Sequence, residues 1–442
     1  MQAKLRLTAA AALTLLLAPY SASAAEPAAA PSPAPHLQAA PAAAVLNSVD
    51  LLNAEPAPDV AEADLWARIR SGYAINDINN ELVSKHVNWY ATRPDYLART
   101  SARASRYLYH VVTELEKRGM PTELALLPII ESAFNPQANS SAAAVGIWQF
   151  MPGTGKDYNL KQNAFKDDRR SVLASTDAAL TYLQRLYNMF GDWQLALAAY
   201  NWGEGNVQKT IRKAQAAGKP TDYESLAHMM PAETRNYVPK LQAVKNIVGH
   251  PQQYNVSLPS IENAAYFTAI DKTSDIDVAV AAQLAEMSLD DFKALNPQFK
   301  RPVIIGGENT KILLPQENAE KFHSNLASFG KALSSWTTHR IASARVSIST
   351  LASKFKTTPE VIREANNIPA RTRLKAGSTI LVPKIASSSA GDIAENIVEN
   401  AVMALEPERA GKRKSSRAKS KFRAKGGKKT SKRSRSNNRK KR

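Results

Sequence analysis

The stretch ALLPIIESAFNPQANSSAAAVGIWQF, residues 125–150, decides how the rest of the chain is read. An apolar run, Leu126 to Ile130, ends at an acid, Glu131, and a polar turn then leads to Gly146, Trp148 and Gln149. A glutamate at a helix end is ordinarily a solvated surface acid. Here the helix macrodipole opposes a negative charge at the C-terminus, and Ile129, Ile130 and Phe134 flank the carboxyl with apolar bulk. Both effects raise a carboxyl pKa, the state a general acid needs near neutral pH.

The surrounding chain reads as helical from about Leu65 to about Gly249, with Gly and Pro as punctuation and no strand alternation. In SVLASTDAALTYLQRLYNMFG, apolar residues from Val172 to Phe190 recur at three- and four-residue steps, and Gly191 supplies the stop. DWQLALAAYN, residues 192–201, is apolar on nearly every side and belongs in the middle of a bundle. ETRNYVPKLQAVKNIVG, residues 233–249, reads as a third helix, broken or kinked at Pro239. Asp167 and Asp168 in FKDDRR read as a solvated turn.

Both ends differ in texture. Residues 1–24 have the form of a secretory signal: Lys4 and Arg6, an apolar run of twelve from Leu7 to Ala18, then Ala22-Ser23-Ala24. Residues 25–60 read as a linker rich in alanine and proline. The chain has no cysteine, which excludes disulfides, thiolate metal sites, a thiol nucleophile and a lipid-bearing N-terminal cysteine. Net charge is +19, but 18 of the Lys and Arg lie in an acid-free run from Arg409 to Arg442, so the first 408 residues carry only +1. The basic tail, residues 386–442, is expected to be disordered.

Between them lies a tandem. VSISTLASKFKTTPEVIREANNIPARTRLKAGSTILVPK, residues 346–384, reads as helix, turn, helix, loop and strand, with helices starting near Ile348 and Pro359 and a strand at Thr379 to Val382. A looser copy lies upstream. Leu313-Leu314-Pro315 and Leu381-Val382-Pro383 are 68 residues apart, and Asn296 and Asn366 are 70 apart.

ESAFNPQANSSAAAVGIWQFMPGTG, AYNWGEGNV and ETRNYVPKL, in that order, resemble the motifs of the soluble lytic transglycosylase domain, whose fold is similar to goose-type lysozyme. The nearest likeness is to the membrane-bound lytic murein transglycosylase D type. The resemblance implies a mainly α, lysozyme-like catalytic domain over residues 61–255. It also implies cleavage of the β-1,4 bond between N-acetylmuramic acid and N-acetylglucosamine in peptidoglycan, with Glu131 as the catalytic acid. Most glycosidases flank the bond with two carboxylates. No second acid here has a comparable claim, and a lytic transglycosylase needs none.

By the same resemblance, Ser140 and Gln149 hold the N-acetyl and peptide groups of the substrate, and Met151 lines the cleft wall. Tyr200 bonds near the anomeric centre, Asn201 braces the cleft, and Glu233 and Tyr237 match the acid and tyrosine of the last motif. Turn, cap and core roles stay open for these side chains. Ala143 stands where many relatives have glycine, as a residue in a helix tolerates well. Residues 337–385 resemble a LysM module, a small α+β (βααβ) glycan-binding unit, with Ala344-Arg345-Val346-Ser347 in place of its usual Gly-Asp-Thr start. Residues 264–317 read as a degenerate copy.

No metal or cofactor is expected. The expected partner is the peptidoglycan glycan strand in the periplasm, with an anionic envelope surface for the basic tail. Nucleic acid is not expected, because an exported chain meets lipid and wall anions first. A goose-type muramidase, using water at the same bond, and a non-catalytic wall-binding scaffold are the alternatives. The oligomeric state is not legible.

Overall fold

The computed structural model describes residues 63–272, 274–305, 310–343, 346–385 and 391–407. The expected signal segment, the whole of the linker, Ala344, Arg345 and the basic run from Arg409 lie outside the described residues.

The helical part opens with α1 (Leu65–Ser71), α2 (Glu81–Ala91), α3 (Pro94–Ala104) and α4 (Leu108–Lys117). A 3-10 turn, Thr122–Leu126, leads into α5 (Leu127–Ser132). Next come α6 (Pro152–Asp157), α7 (Val172–Phe190), α8 (Trp193–Trp202), α9 (Glu204–Ala216), α10 (Tyr223–Ala227) and α11 (Ala232–Gly249). The caps explain the boundaries. Ser171 Oγ and Asp192 Oδ1 accept the backbone N–H groups of Ala174 and Leu195, and Gly191, at φ +67°, ends α7 in the left-handed conformation. Helix α8 is the central element, with Ala196 to Ala199 fully buried, as its all-round apolar sequence predicts.

Of the break or kink expected at Pro239, the break does not occur: helix α11 continues through it. Proline lacks the N–H that would reach the carbonyl of Arg235, and Tyr223 Oη donates to that carbonyl at 2.9 Å. A tyrosine from α10 thus supplies the bond that the proline cannot. Near the other end of α11, Lys245 Nζ lies 3.2 Å from the fully buried Glu123 and 2.8 Å from Asp77, and donates to the Ile75 carbonyl at 2.7 Å. Glu123 also accepts the N–H groups of Ala74 and Ile75, so this charged cluster ties α11 to the loop after α1.

Two βααβ units follow. The first pairs β1 (Thr268–Asp271) with β4 (Lys311–Leu314), around α12 (Val278–Leu284) and α13 (Leu289–Leu295). A short pair, β2 (Ile276–Asp277) and β3 (Val303–Ile304), and a trailing helix, α14 (Gln316–Ser328), complete it. In the second, β5 (Trp336–Arg340) pairs with β7 (Thr379–Pro383) around α15 (Ile348–Lys354) and α16 (Pro359–Asn366). The repeated asparagines have the same job in both units. Asn296 donates to the Leu313 carbonyl and accepts its N–H, both at 2.8 Å, and Asn366 clamps Leu381 at 2.8 and 2.7 Å. Ser347, in place of part of the usual module start, caps α15 by accepting the Thr350 N–H.

The expected disordered tail is corrected over residues 391–407. These hold a helix, α17 (Glu395–Glu399), and a strand, β8 (Leu405–Pro407), paired with β6 (Thr372–Leu374). Ile393, Val398 and Ala401 bury against Phe165, Val303, Ile305 and Leu381. Apolar side chains with a surface to cover outweigh the polar composition around them.

Candidate active site

Glu131 sits at the last turn of α5, where the chain leaves the helix abruptly. Ala133 and Phe134 both take positive φ, +51° and +52°. Two successive left-handed residues cost roughly 1–2 kcal/mol each. Burial of Phe134, together with bonds from its N–H to the Pro128 carbonyl and from Ser132 Oγ to the Ile147 carbonyl, holds the turn.

Tyr237, one turn below Glu233 on α11, donates its hydroxyl to Glu131 Oε1. Glu131 is half-buried, and its carboxyl is pushed up to about 7, chiefly by burial. The bond from Tyr237 pulls it down and the nearby charge of Glu233 pushes it up further. Tyr237 and Tyr200 are both held well above the ordinary tyrosine range, first by burial and next by Glu131. Tyr200 Oη donates to the Trp148 carbonyl at 2.9 Å, which ties α8 to the GIWQ segment. Asn201 Oδ1 accepts from Thr234 Oγ1 at 2.8 Å and so braces α8 against α11. Glu233 is exposed in the first turn of α11.

Glu131, Tyr200, Glu233 and Tyr237 therefore share one electrostatic neighbourhood, and Asn201 stands behind it. Ser140, Gln149 and Met151 are placed differently. Ser140 closes its own turn: its N–H donates to the Ala144 carbonyl and its Oγ accepts the Ala144 N–H. Gln149, at φ +51°, donates its amide to the Gly146 carbonyl at 2.8 Å. Met151 is 37% exposed before α6, so it is not core filling. Among the described residues no hydrogen bond joins these three to Glu131. Trp148 is a scaffold residue, fully buried with its indole N–H on Thr176 Oγ1 at 3.0 Å.

The FKDDRR segment is corrected from solvated turn to buried keystone. Asp167, Asp168 and Arg169 are each at most 7% exposed. The Arg169 guanidinium bonds both oxygens of Asp167, at 2.9 and 2.8 Å, and the carbonyls of Ala143 and Phe150 at 2.9 and 3.1 Å. It thereby spans both ends of the 143–150 loop. Gly146 is required beneath it, since a Cβ there would lie 2.1 Å from the Arg169 carbonyl oxygen. Ala143 is likewise corrected: it takes φ +66° in a turn and is not helical. Nothing in the sequence marked Arg169, because runs of mixed charge ordinarily face water.

Residues 111–222 match the family described as the transglycosylase SLT domain. Residues 266–331 match the LysM-like domain of lytic transglycosylase MltD, and residues 347–383 match the LysM domain. The chain is 36% identical over 352 residues to membrane-bound lytic murein transglycosylase D of Escherichia coli K12, covering 77% of this chain and 76% of that protein. An Alteromonas protein described by tributyltin chloride resistance is 44% identical over 125 residues, 28% of this chain and 60% of that one. Among solved structures, the 70 kDa soluble lytic transglycosylase of Escherichia coli aligns at TM-score 0.28 and 22% identity, covering 39% of this chain and 30% of that one.

Proposed function

The chain belongs to the membrane-bound lytic murein transglycosylase D family, and we propose that Glu131 is the one residue that carries both proton transfers of its reaction. The protein is a peptidoglycan lytic transglycosylase. The observation that carries the assignment of Glu131 is its carboxyl, raised to about 7 by burial and bonded by Tyr237.

At neutral pH a substantial fraction of Glu131 is protonated and can give its proton to the glycosidic oxygen between N-acetylmuramic acid and N-acetylglucosamine. The substrate's own N-acetyl oxygen stabilises the charge that develops at C1. Glu131, now ionised, takes the proton of the C6 hydroxyl, whose oxygen closes a 1,6-anhydro ring on C1. The two transfers return Glu131 to its starting state and water is not consumed. Tyr237 orients the carboxyl, and Tyr200 stands near the anomeric centre. Ser140 and Gln149 hold the N-acetyl and peptide groups, and Met151 forms cleft wall. Asn201 braces the cleft, and Glu233 tunes Glu131 by its charge without touching the reacting atoms.

We assign the catalytic domain to residues 61–255 and glycan-holding roles to the units at 264–317 and 337–385. Among the described residues no helix is long and apolar enough to cross a membrane. The secretory form of residues 1–24 and the basic run from Arg409 support a periplasmic enzyme held on an anionic envelope surface. Digestion of purified peptidoglycan in water enriched in oxygen-18, read by mass spectrometry, tests the reaction. Products ending in 1,6-anhydromuramic acid without the label are expected. Labelled reducing ends would replace the assignment with hydrolysis by a goose-type muramidase.

A further inference from the structure

A cavity of about 480 Å³ opens where the helical domain meets both βααβ units. One wall is the loop that carries Ser140, through Asn139 and Ala143, and Arg170 follows the buried Arg169. The opposite wall holds Lys293 and Lys300 of the first unit, and Asn367 reaches it from the second. The seam itself is fixed by backbone: the Asp167 N–H donates to the Gln298 carbonyl at 3.0 Å and the Lys300 N–H to the Phe165 carbonyl at 2.8 Å.

The charges in the cavity do not balance. Asp167 is the acid in the lining, and its two oxygens are taken by Arg169. Among the described residues, no carboxylate lies within ion-pair distance of Arg170, Lys293 or Lys300. Arg170 and Lys300 are both pushed below their ordinary values, first by burial, with Asp167 opposing and neighbouring arginines adding to the shift. Asn139 and Asn367 add amide groups that can donate or accept. A half-enclosed cavity with surplus cations and amides, of a size that holds a short peptide, is built for a flexible ligand with carboxylates.

We propose that this cavity is a subsite for the carboxylate-bearing peptide stems of peptidoglycan, held by Arg170, Lys293 and Lys300. The proposal rests on the peptidoglycan reading of Glu131 and deepens it. Each muramic acid carries a stem, and a stem of a few residues spans roughly 3.3–3.6 Å per residue when extended. A strand lying over the Ser140 loop can therefore drop a stem into the seam. Because three parts of the chain contribute walls, the subsite exists only while the βααβ units stay docked, which gives that docking a purpose besides glycan binding.

Lys293 is the residue to change, since it is exposed and makes no bond that holds the seam. The full-length enzyme and Lys293→Glu are compared on glycan strands with intact stems and on the same strands stripped by an amidase. The wild type should show a lower KM on stem-bearing strands, and Lys293→Glu should raise that KM about tenfold with kcat unchanged. Stripped strands should not distinguish the two proteins, and Lys293→Arg should behave as the wild type. Calorimetry with a free tetrapeptide stem adds a readout independent of cleavage: binding to the wild type, weakened about tenfold in Lys293→Glu. Equal KM on both substrates in the wild type would overturn the subsite, as would equal loss on both in the variant or inorganic phosphate binding as well as the stem. Failure of the peptidoglycan reading would show separately, as absent cleavage of stem-bearing and stripped strands alike.

Discussion

Replacing Glu131 by glutamine should abolish cleavage and, at the same time, stabilise the fold in a pH-dependent way. The folded protein holds the Glu131 carboxyl at about 7, against an ordinary 4.5. A folded-state value above the unfolded one means that the native state binds this proton more tightly, so the contribution to stability is greatest at low pH. It is lost as pH rises from about 4.5 to about 7, and above 7 an ionised carboxylate is held where burial disfavours it. The full displacement is worth about 3 kcal/mol at 1.36 kcal/mol per pH unit. Solvent reaching the half-buried side chain reduces this to roughly 2–3 kcal/mol. Glutamine keeps the shape and carries no charge, so Glu131→Gln should match the wild type at pH 4 and exceed it at pH 8. For a domain of this size the gain corresponds to roughly 5–10 °C in Tm. Scanning calorimetry of both proteins at the two pH values reads it. A Tm difference that is absent, or that is larger at pH 4 than at pH 8, would refute the electrostatic reasoning. A stabilised but inactive variant would show that the native site bears strain for the sake of chemistry.

Tyr237→Phe removes the bond that lowers the Glu131 carboxyl, so the alkaline limb of the rate profile should move to higher pH while kcat falls about tenfold. A limb moving to lower pH would contradict the assigned bond. Arg169→Ala leaves Asp167 buried without its partner and frees the Ala143 and Phe150 carbonyls, and should cost about 3–5 kcal/mol in denaturant unfolding. Ala143→Gly relieves a left-handed alanine and should stabilise by about 0.5–1 kcal/mol, net of the added freedom of the unfolded chain. Asn366→Ala strips both partners from the backbone of Leu381 and should lower the second unit's stability by about 3 kcal/mol, seen as early loss of amide protection in β7.

Much of this was legible in the sequence where one local pattern dictates one structure. The apolar steps from Val172 to Phe190 give α7, the all-round apolar run gives the buried α8, and the matched asparagines mark one clamp used twice. Glu131 stood out because a charge closing an apolar run is costly wherever it is found. What escaped depends on long-range contact. Arg169 turned inward because the carbonyls of Ala143 and Phe150 wait there, and no periodicity encodes that. Pro239 did not break α11 because a hydroxyl from another helix meets the stranded carbonyl. Residues 391–407 ordered because Phe165 and Leu381 offer an apolar surface, which composition within the segment does not reveal.

If a carboxyl held near neutrality at position 131 is the acid, the pH dependence of kcat/KM on soluble glycan strands must follow its protonation. The expected profile is a plateau below pH 6, half the plateau rate near 7, and a tenfold fall for each further pH unit as the protonated form of Glu131 is depleted. A rate that stays level from pH 5 to pH 9, or that already halves near the ordinary carboxyl value of 4.5, would contradict it.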